Sequence, residues 1–338
     1  MSWSGTSWGS APAAANARAL HTLAGRSMGT QWSVKLVAEA AALAVLERGI
    51  QARLDEVVAQ MSTWEADSDL SRYNRAEAGT VQALPDGFHA VLDAALKLAA
   101  DSDGAYDPTV GPLVNLWGFG PDGARDATPS EADIAQAQAR VGWQRVGFDP
   151  LARSAVQAGG TYLDFSSIAK GYGVDRVAAW LREQNIDAFL VEVGGELYGH
   201  GRKPDGGAWL VSIERPAVER PQHDAEGEDS GAVLALDGYA IATSGDYRRY
   251  FDHDGRRYSH TVDPRSGRPV THALASVSVL HPQCMLADGL ATVLAVLGPQ
   301  AGMAYANRRQ LAAMFVMHDG NGFLTRMTPA FIARQRAA

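Results

Sequence analysis

The chain has 338 residues, 46% of them hydrophobic, and carries 30 Lys and Arg against 38 Asp and Glu for a net charge of −8. That length can bury a sizeable core in two domains or one large two-lobed one, and the dispersed basic residues argue against a surface that tracks nucleic-acid phosphates. The single cysteine, Cys284, excludes an internal disulfide and any paired-cysteine metal site, and the histidines show no H-x-H or H-E-x-x-H spacing that would suggest zinc.

Residues 1–22, rich in Ser, Gly and Ala with isolated Trp3 and Trp8, are expected to form a mobile tail ahead of a single unit at 23–338. The tail shows no basic start, no apolar core of signal length and no cysteine, so neither a signal peptide nor a lipid anchor is expected and the chain as written is assigned to the cytoplasm. No apolar run approaches the ~18 residues of a membrane span, so no transmembrane segment is expected. Residues 31–37 read as a strand. Residues 40–60 read as an amphipathic helix with Leu46, Ile50, Leu54, Val57 and Val58 near one face. Two more helices are predicted at 87–100 and 130–140, the second with Ser130 as cap and Asp133 in its first turn. The apolar stretch through Trp117 places Trp117 and Phe119 in the interior. A short strand at 161–165 leads through Ser166 and Ser167 into a helix that runs to about residue 183. Beyond it the pattern turns to strands at 188–193, 209–213, 233–241, 256–262, 275–280 and 314–318. Residues 215–231, with Pro216, Pro221 and several Asp and Glu, read as a solvated loop insertion. No βαβ alternation is long enough for a doubly wound sheet, so the fold class is α+β.

Three loci carry chemistry. In Tyr258-Ser259-His260-Thr261-Val262-Asp263-Pro264-Arg265-Ser266-Gly267 an imidazole stands among hydroxyls and carboxylates, which makes His260 a candidate general base; a plain hairpin fits the same letters. Residues 287–298 read as a helix closed by Gly298 and Pro299, with Asp288 and Thr292 on one face at i and i+4. Their hard oxygens suit a small cation such as Mg²⁺ that keeps waters and substrate phosphate oxygens as its other ligands. An N-terminal cap by Asp288 and a back-bond by Thr292 explain the same residues. At the third locus the start of the helix after Ser167, with Lys170 in its first turns, offers backbone N–H groups to a phosphate, and Asp164 leaves the strand toward the same space; an ordinary Ser-capped helix is the alternative.

Taken together these loci resemble the ApbE family of flavin transferases. The resemblance runs from about residue 25 to about residue 323. It includes Ser27-Met28-Gly29-Thr30, Met61-Ser62-Thr63-Trp64, Gly104-Ala105-Tyr106-Asp107-Pro108-Thr109, the segment from Leu163 to Asp175, Val193-Gly194-Gly195-Glu196-Leu197 and Ala242-Thr243-Ser244-Gly245-Asp246-Tyr247, followed by the His260 turn and the Asp288 helix. It implies a two-lobed α+β architecture with mixed or antiparallel sheets flanked by helices. It also implies Mg²⁺-dependent transfer of FMN from FAD to a Thr or Ser hydroxyl of an acceptor protein, with AMP released. In that family's terms His260 resembles the catalytic base, while Asp288, Thr292 and the backbone carbonyl near Ser167 resemble metal ligands. Met28, Trp64, Ala105, Tyr106, Asp107, Asp164, Lys170 and Thr261 resemble contacts to the flavin nucleotide. Hydrolysis of FAD to FMN and AMP, and non-catalytic FAD binding, are the other readings of the same residues. The chain has Ser166-Ser167 where many relatives carry Gly-Gly, which keeps the capping role and adds hydroxyls near the metal position.

Overall fold

The computed structural model describes residues 17–125, 127–213, 232–245, 250–253, 256–320 and 322–337. The 215–231 insertion, most of the expected tail, and Asp246 and Tyr247 lie outside the described residues.

Eight strands form one sheet, and their order in space is their order in the chain: Ala19–Ser27, Thr30–Ala38, Phe189–Val193, Glu196–His200, Tyr239–Gly245, Leu274–His281, Ala312–Asp319 and Gly322–Met327. Every neighbouring pair is antiparallel. Side chains alternate across a strand, and in the second strand Trp32, Val34, Leu36 and Ala38 all turn to the buried side. There they meet Leu46, Ile50 and Leu54 of the helix Leu43–Met61 and Val174, Val177 and Leu181 of the helix Ala169–Glu183. The opposite face packs Leu190, Ile241 and Val316 against the hairpin Trp209–Ser212/Val233–Leu236 and against Phe331 of the terminal helix. Leu274–His281 is covered on both sides and is buried from Leu274 to Leu280, although Ser276 and Ser278 alternate with Val277 and Val279. A further core, with Leu70, Phe88, Val91, Leu98 and Phe165, joins the helix Asp86–Asp101 to the helix Cys284–Arg308.

The register decides where the functional loci go. Trp32 pairs with Val193, so the Met28–Gly29 turn and the Gly194–Gly195 turn lie at the same end of the sheet. Ile241 pairs with Leu197 and Gly245 with Ser276, which brings the end of the Tyr239–Gly245 strand and the start of the next to that end as well. The excursion 246–273, which holds His260, therefore leaves and re-enters the sheet beside Gly194 and Glu196.

Several expectations need correction. The first strand starts at Ala19, inside the stretch assigned to a mobile tail, because Ala19–Ser27 pairs along its whole length with Thr30–Ala38. The strand expected at 233–241 is two strands in different sheets, broken at Asp237–Gly238 where Gly238 takes φ 71°. The strand expected at 256–262 breaks at His260 and Thr261, and Arg256–Ser259 and Val262–Asp263 pair with different partners. Met61, rather than Val58, completes the buried stripe of the Leu43–Met61 helix. Ser130 caps its helix as expected and forms a reciprocal capping box with Asp133. Gly298 does break the helical backbone, at φ 74° and ψ −177°, but the helix resumes at Pro299 and runs on to Arg308. By length and composition the helix Cys284–Arg308 could cross a membrane, though much of it is buried within the fold.

Candidate functional site

Three elements bring the ligand-holding residues together. The helix Ala169–Glu183 begins without a side-chain cap, at Ile168, so neither Ser166 nor Ser167 caps it. Its third backbone N–H, from Gly171, instead donates to Asp288 Oδ2 at 3.1 Å. The helix start expected to take a phosphate is thus partly filled by a carboxylate of this chain, an anion at a helix N-terminus in either case. Only glycine allows this approach: a Cβ at Gly171 would lie 2.4 Å from the Cys284 carbonyl oxygen and 2.9 Å from Asp288 Cβ. Lys170 stands beside Gly171, its Nζ 2.7 Å from Glu196 Oε1 and 3.9 Å from Asp288 Oδ1. Its surroundings oppose the charge by desolvation, but Asp288 and Glu196 outweigh that and hold the Lys170 pKa above its ordinary value.

Asp288 is not the cap of its own helix, which starts at Cys284. That role falls to Asp175, across the helix–helix interface, which accepts from Cys284 N at 2.8 Å and Met285 N at 2.9 Å. Burial raises the Asp175 carboxyl to about 6 even though both backbone bonds favour its charged form. One turn beyond Asp288, Thr292 Oγ1 lies 3.5 Å from Ser244 Oγ at the end of its strand.

Above this pair stands Tyr106. It is 2% exposed, and its hydroxyl has no hydrogen-bond partner among the described residues. Burial raises its pKa first; the Ser167 side chain lowers it, and the charges of Asp288, Asp164 and Asp107 raise it further. The Tyr106 hydroxyl thus lies in the field of the Asp288 and Asp164 carboxylates, with the Ser167 side chain as its neighbour. Asp164 is held by a tight turn, accepting from Ser166 N at 2.7 Å while its own N–H donates to Pro108 O at 2.7 Å. Ala105 is buried next to Tyr106. Asp107 is turned away to other work: Oδ1 takes Thr109 N and Oγ1, at 2.8 and 2.6 Å, and Oδ2 takes Trp143 N at 3.0 Å. Both oxygens fix the loop that presents Tyr106, so Asp107 acts here as a brace.

The remaining residues stand further out. Met28 occupies the first hairpin turn at φ 51° and leans onto the Lys170 helix, where a Cβ at Gly173 would come within 2.8 Å of its Cε. Trp64 is 62% exposed on a loop pinned by Ser62 Oγ, and none of its described contacts reaches the Asp288 cluster. His260 is half-buried, with its ring 6.2 Å edge-on from Phe119. Its segment packs on a small core of Leu113, Trp117, Ile134 and Val262; Trp117 Nε1 donates to Gly267 O at 2.9 Å and Trp117 stacks on Tyr258. Thr261 shapes the hairpin through its backbone, donating to Ser259 Oγ at 3.1 Å and accepting from Val270 N at 2.9 Å. The Gly194–Gly195 pair forms a turn, both residues at positive φ. Among the described residues no group of three or more His, Cys, Asp and Glu is placed to hold an ion. The available donors are carboxylates, hydroxyls and backbone carbonyls, a set that fits a hard cation sharing its shell with water and substrate. Glu196 and Asp175 lie within motifs of the family resemblance, but the sequence assigns neither a role, since each acts on a helix apart from its own segment.

The chain belongs to the ApbE family, which matches residues 28–315. The chain is 39% identical over 318 residues to the FAD:protein FMN transferase of Haemophilus influenzae, spanning 92% of this chain and 90% of that one. It is similar to the crystal structure of the Pseudomonas stutzeri flavinyl transferase ApbE, at 42% identity and a TM-score of 0.86, over 95% of this chain and 98% of that one. It is also similar to the flavin transferase ApbE of Vibrio cholerae, at 37% identity and a TM-score of 0.84, over 94% and 99%. The mixture of helices with antiparallel sheets expected from the sequence is the architecture those structures share.

Proposed function

We propose that this protein transfers FMN from FAD to a Thr or Ser hydroxyl of an acceptor protein, with Mg²⁺ as its ion and AMP as the leaving group. The observation that carries the reading is the meeting of Lys170 with the Glu196 and Asp288 carboxylates, beside the buried Tyr106 hydroxyl and Ser167, in a chain whose relatives are named FAD:protein FMN transferase. Asp288 Oδ1, Thr292 Oγ1 and the backbone carbonyl of Ser167 would hold the ion. When bound, it supplies charge neutralisation on the pyrophosphate oxygens.

Everything else falls to the side chains. Lys170 adds a fixed positive charge beside the same oxygens, and the Tyr106 hydroxyl donates to the nucleotide in place of the partner it lacks. Asp164 orients the nucleotide. The acceptor hydroxyl attacks the phosphorus on the riboflavin side and gives its proton to a ring nitrogen of His260. The bond to the bridging oxygen breaks, and AMP leaves with that oxygen. Met28 forms an apolar floor for a flat ring.

The test is to incubate the protein with FAD, Mg²⁺ and an acceptor bearing an accessible Thr. Flavin fluorescence that stays on the acceptor through a denaturing gel, with one AMP per label, is the expected result. FMN and AMP without labelled acceptor would make water the nucleophile and overturn the transfer.

A further inference from the structure

Lys170 sits between two carboxylates, unequally shared: Nζ is 2.7 Å from Glu196 Oε1 but 3.9 Å from Asp288 Oδ1. Glu196 is 2% exposed and opens the strand directly after the Gly194–Gly195 turn, so the backbone delivers it to this spot. The turn itself is pressed against the lysine, since a Cβ at Gly194 would lie 3.5 Å from Lys170 Cδ. Asp288 already accepts from Gly171 N through Oδ2, which leaves Oδ1 as the oxygen facing Lys170. Were the ammonium to close on that oxygen, both oxygens would be engaged and the charge of Asp288 neutralised. A short charge-assisted bond to a second carboxylate prevents this, and it leaves two carboxylates against one ammonium.

We propose that Glu196 is a positioning residue, which holds the Lys170 ammonium so that Asp288 Oδ1 stays free to bind a divalent cation. The inference rests on the reading of Asp288 as an ion ligand, and its test separates the two. Mn²⁺ is titrated into the FAD-free protein and the free ion followed by electron paramagnetic resonance, with circular dichroism to check folding. The wild type should bind, Asp288→Ala should lose binding, and Glu196→Gln should weaken it by ~10–100-fold, the usual effect of removing a residue that supports a ligand. Adding Lys170→Met to Glu196→Gln should restore affinity to near the wild-type level, because no ammonium is left to occupy Asp288. Wild-type Mn²⁺ affinity in Glu196→Gln, with binding lost in Asp288→Ala, overturns the role of Glu196 alone. Equal weakness in the single and double variants also overturns it, since Glu196 would then serve only the fold. A wild type that takes up no Mn²⁺, or an Asp288→Ala protein that binds it normally, overturns the reading of Asp288 as well. Should Glu196→Gln not fold, Lys170→Met alone decides: affinity at or above wild type is expected, and weaker binding overturns the proposal.

Discussion

Asp288 and His260 are held by opposite means. Asp288 lies in the main core, its helix capped from another helix by Asp175 and its carboxylate pinned by Gly171, at the meeting of two helices that only glycine lets come so close. His260 rides on an excursion from the sheet, where two short strand pairs break on either side of it. That excursion is fastened to a satellite core through Trp117 and to the helix Glu131–Gln138 through Gln138, which donates to Arg265 O at 2.7 Å, and through an Arg268–Glu131 ion pair. The difference teaches that the proposed ion and nucleotide residues are built into the scaffold, while the proposed base is presented by a separately anchored segment. Loss of one should leave the other standing.

The largest effect that sharpens this contrast is Asp288→Ala. AMP release should fall at least ~100-fold and no longer respond to added Mg²⁺, because an ion ligand and the anchor of Gly171 go together; a variant that still labels acceptor at the wild-type rate in limiting Mg²⁺ would break it. Next comes His260→Ala, expected to lower kcat by ~10²–10⁴-fold, the range of general-base catalysis, while FAD affinity measured by flavin fluorescence stays close to wild type. A matching loss of FAD affinity would mean that the two regions are one unit.

A smaller effect comes from Asp175. Its carboxyl is raised to about 6 in the folded chain by burial, above the ordinary value of 3.8, so the folded state holds the proton more tightly than the unfolded one. Its contribution is therefore fully present below pH about 4 and declines as pH rises toward about 6, by up to roughly 1 kcal/mol per pH unit. Asp175→Asn should flatten that part of a plot of Tm against pH. An unchanged slope would remove Asp175 as the titrating cap of the Asp288 helix. The smallest effect is expected at Trp64, whose exposed indole can be cut to Ala at a change in stability within ~0.5 kcal/mol. A raised KM for FAD with kcat unchanged would place the indole at the flavin, whereas identical kinetics would leave it a surface residue.

Much of the scaffold was legible because periodicity reports burial directly. The stripe Leu46, Ile50, Leu54, Val57 is the buried face of its helix, and the Ser130–Asp133 pair is a capping box in the structure. The order of motifs was enough to identify the family. What stayed hidden depends on residues far apart in the chain. Asp288 read equally well as a helix cap until Asp175, 109 positions from Cys284, was seen to do the capping. At the start of the Lys170 helix, Gly171 donates its N–H to Asp288, 117 positions away, a contact that no local pattern announces. Asp107, expected at the nucleotide from the resemblance, is tied to Thr109 and Trp143 by contacts that local spacing does not show. Local spacing fixes which face of a helix or strand a side chain joins, and so determined the fold class, while the family resemblance supplied most of the candidate site residues. Which carboxylate is left free for a ligand was decided only by the sheet register and the crossing of two helices, because a charge's role depends on the partners that reach it through space.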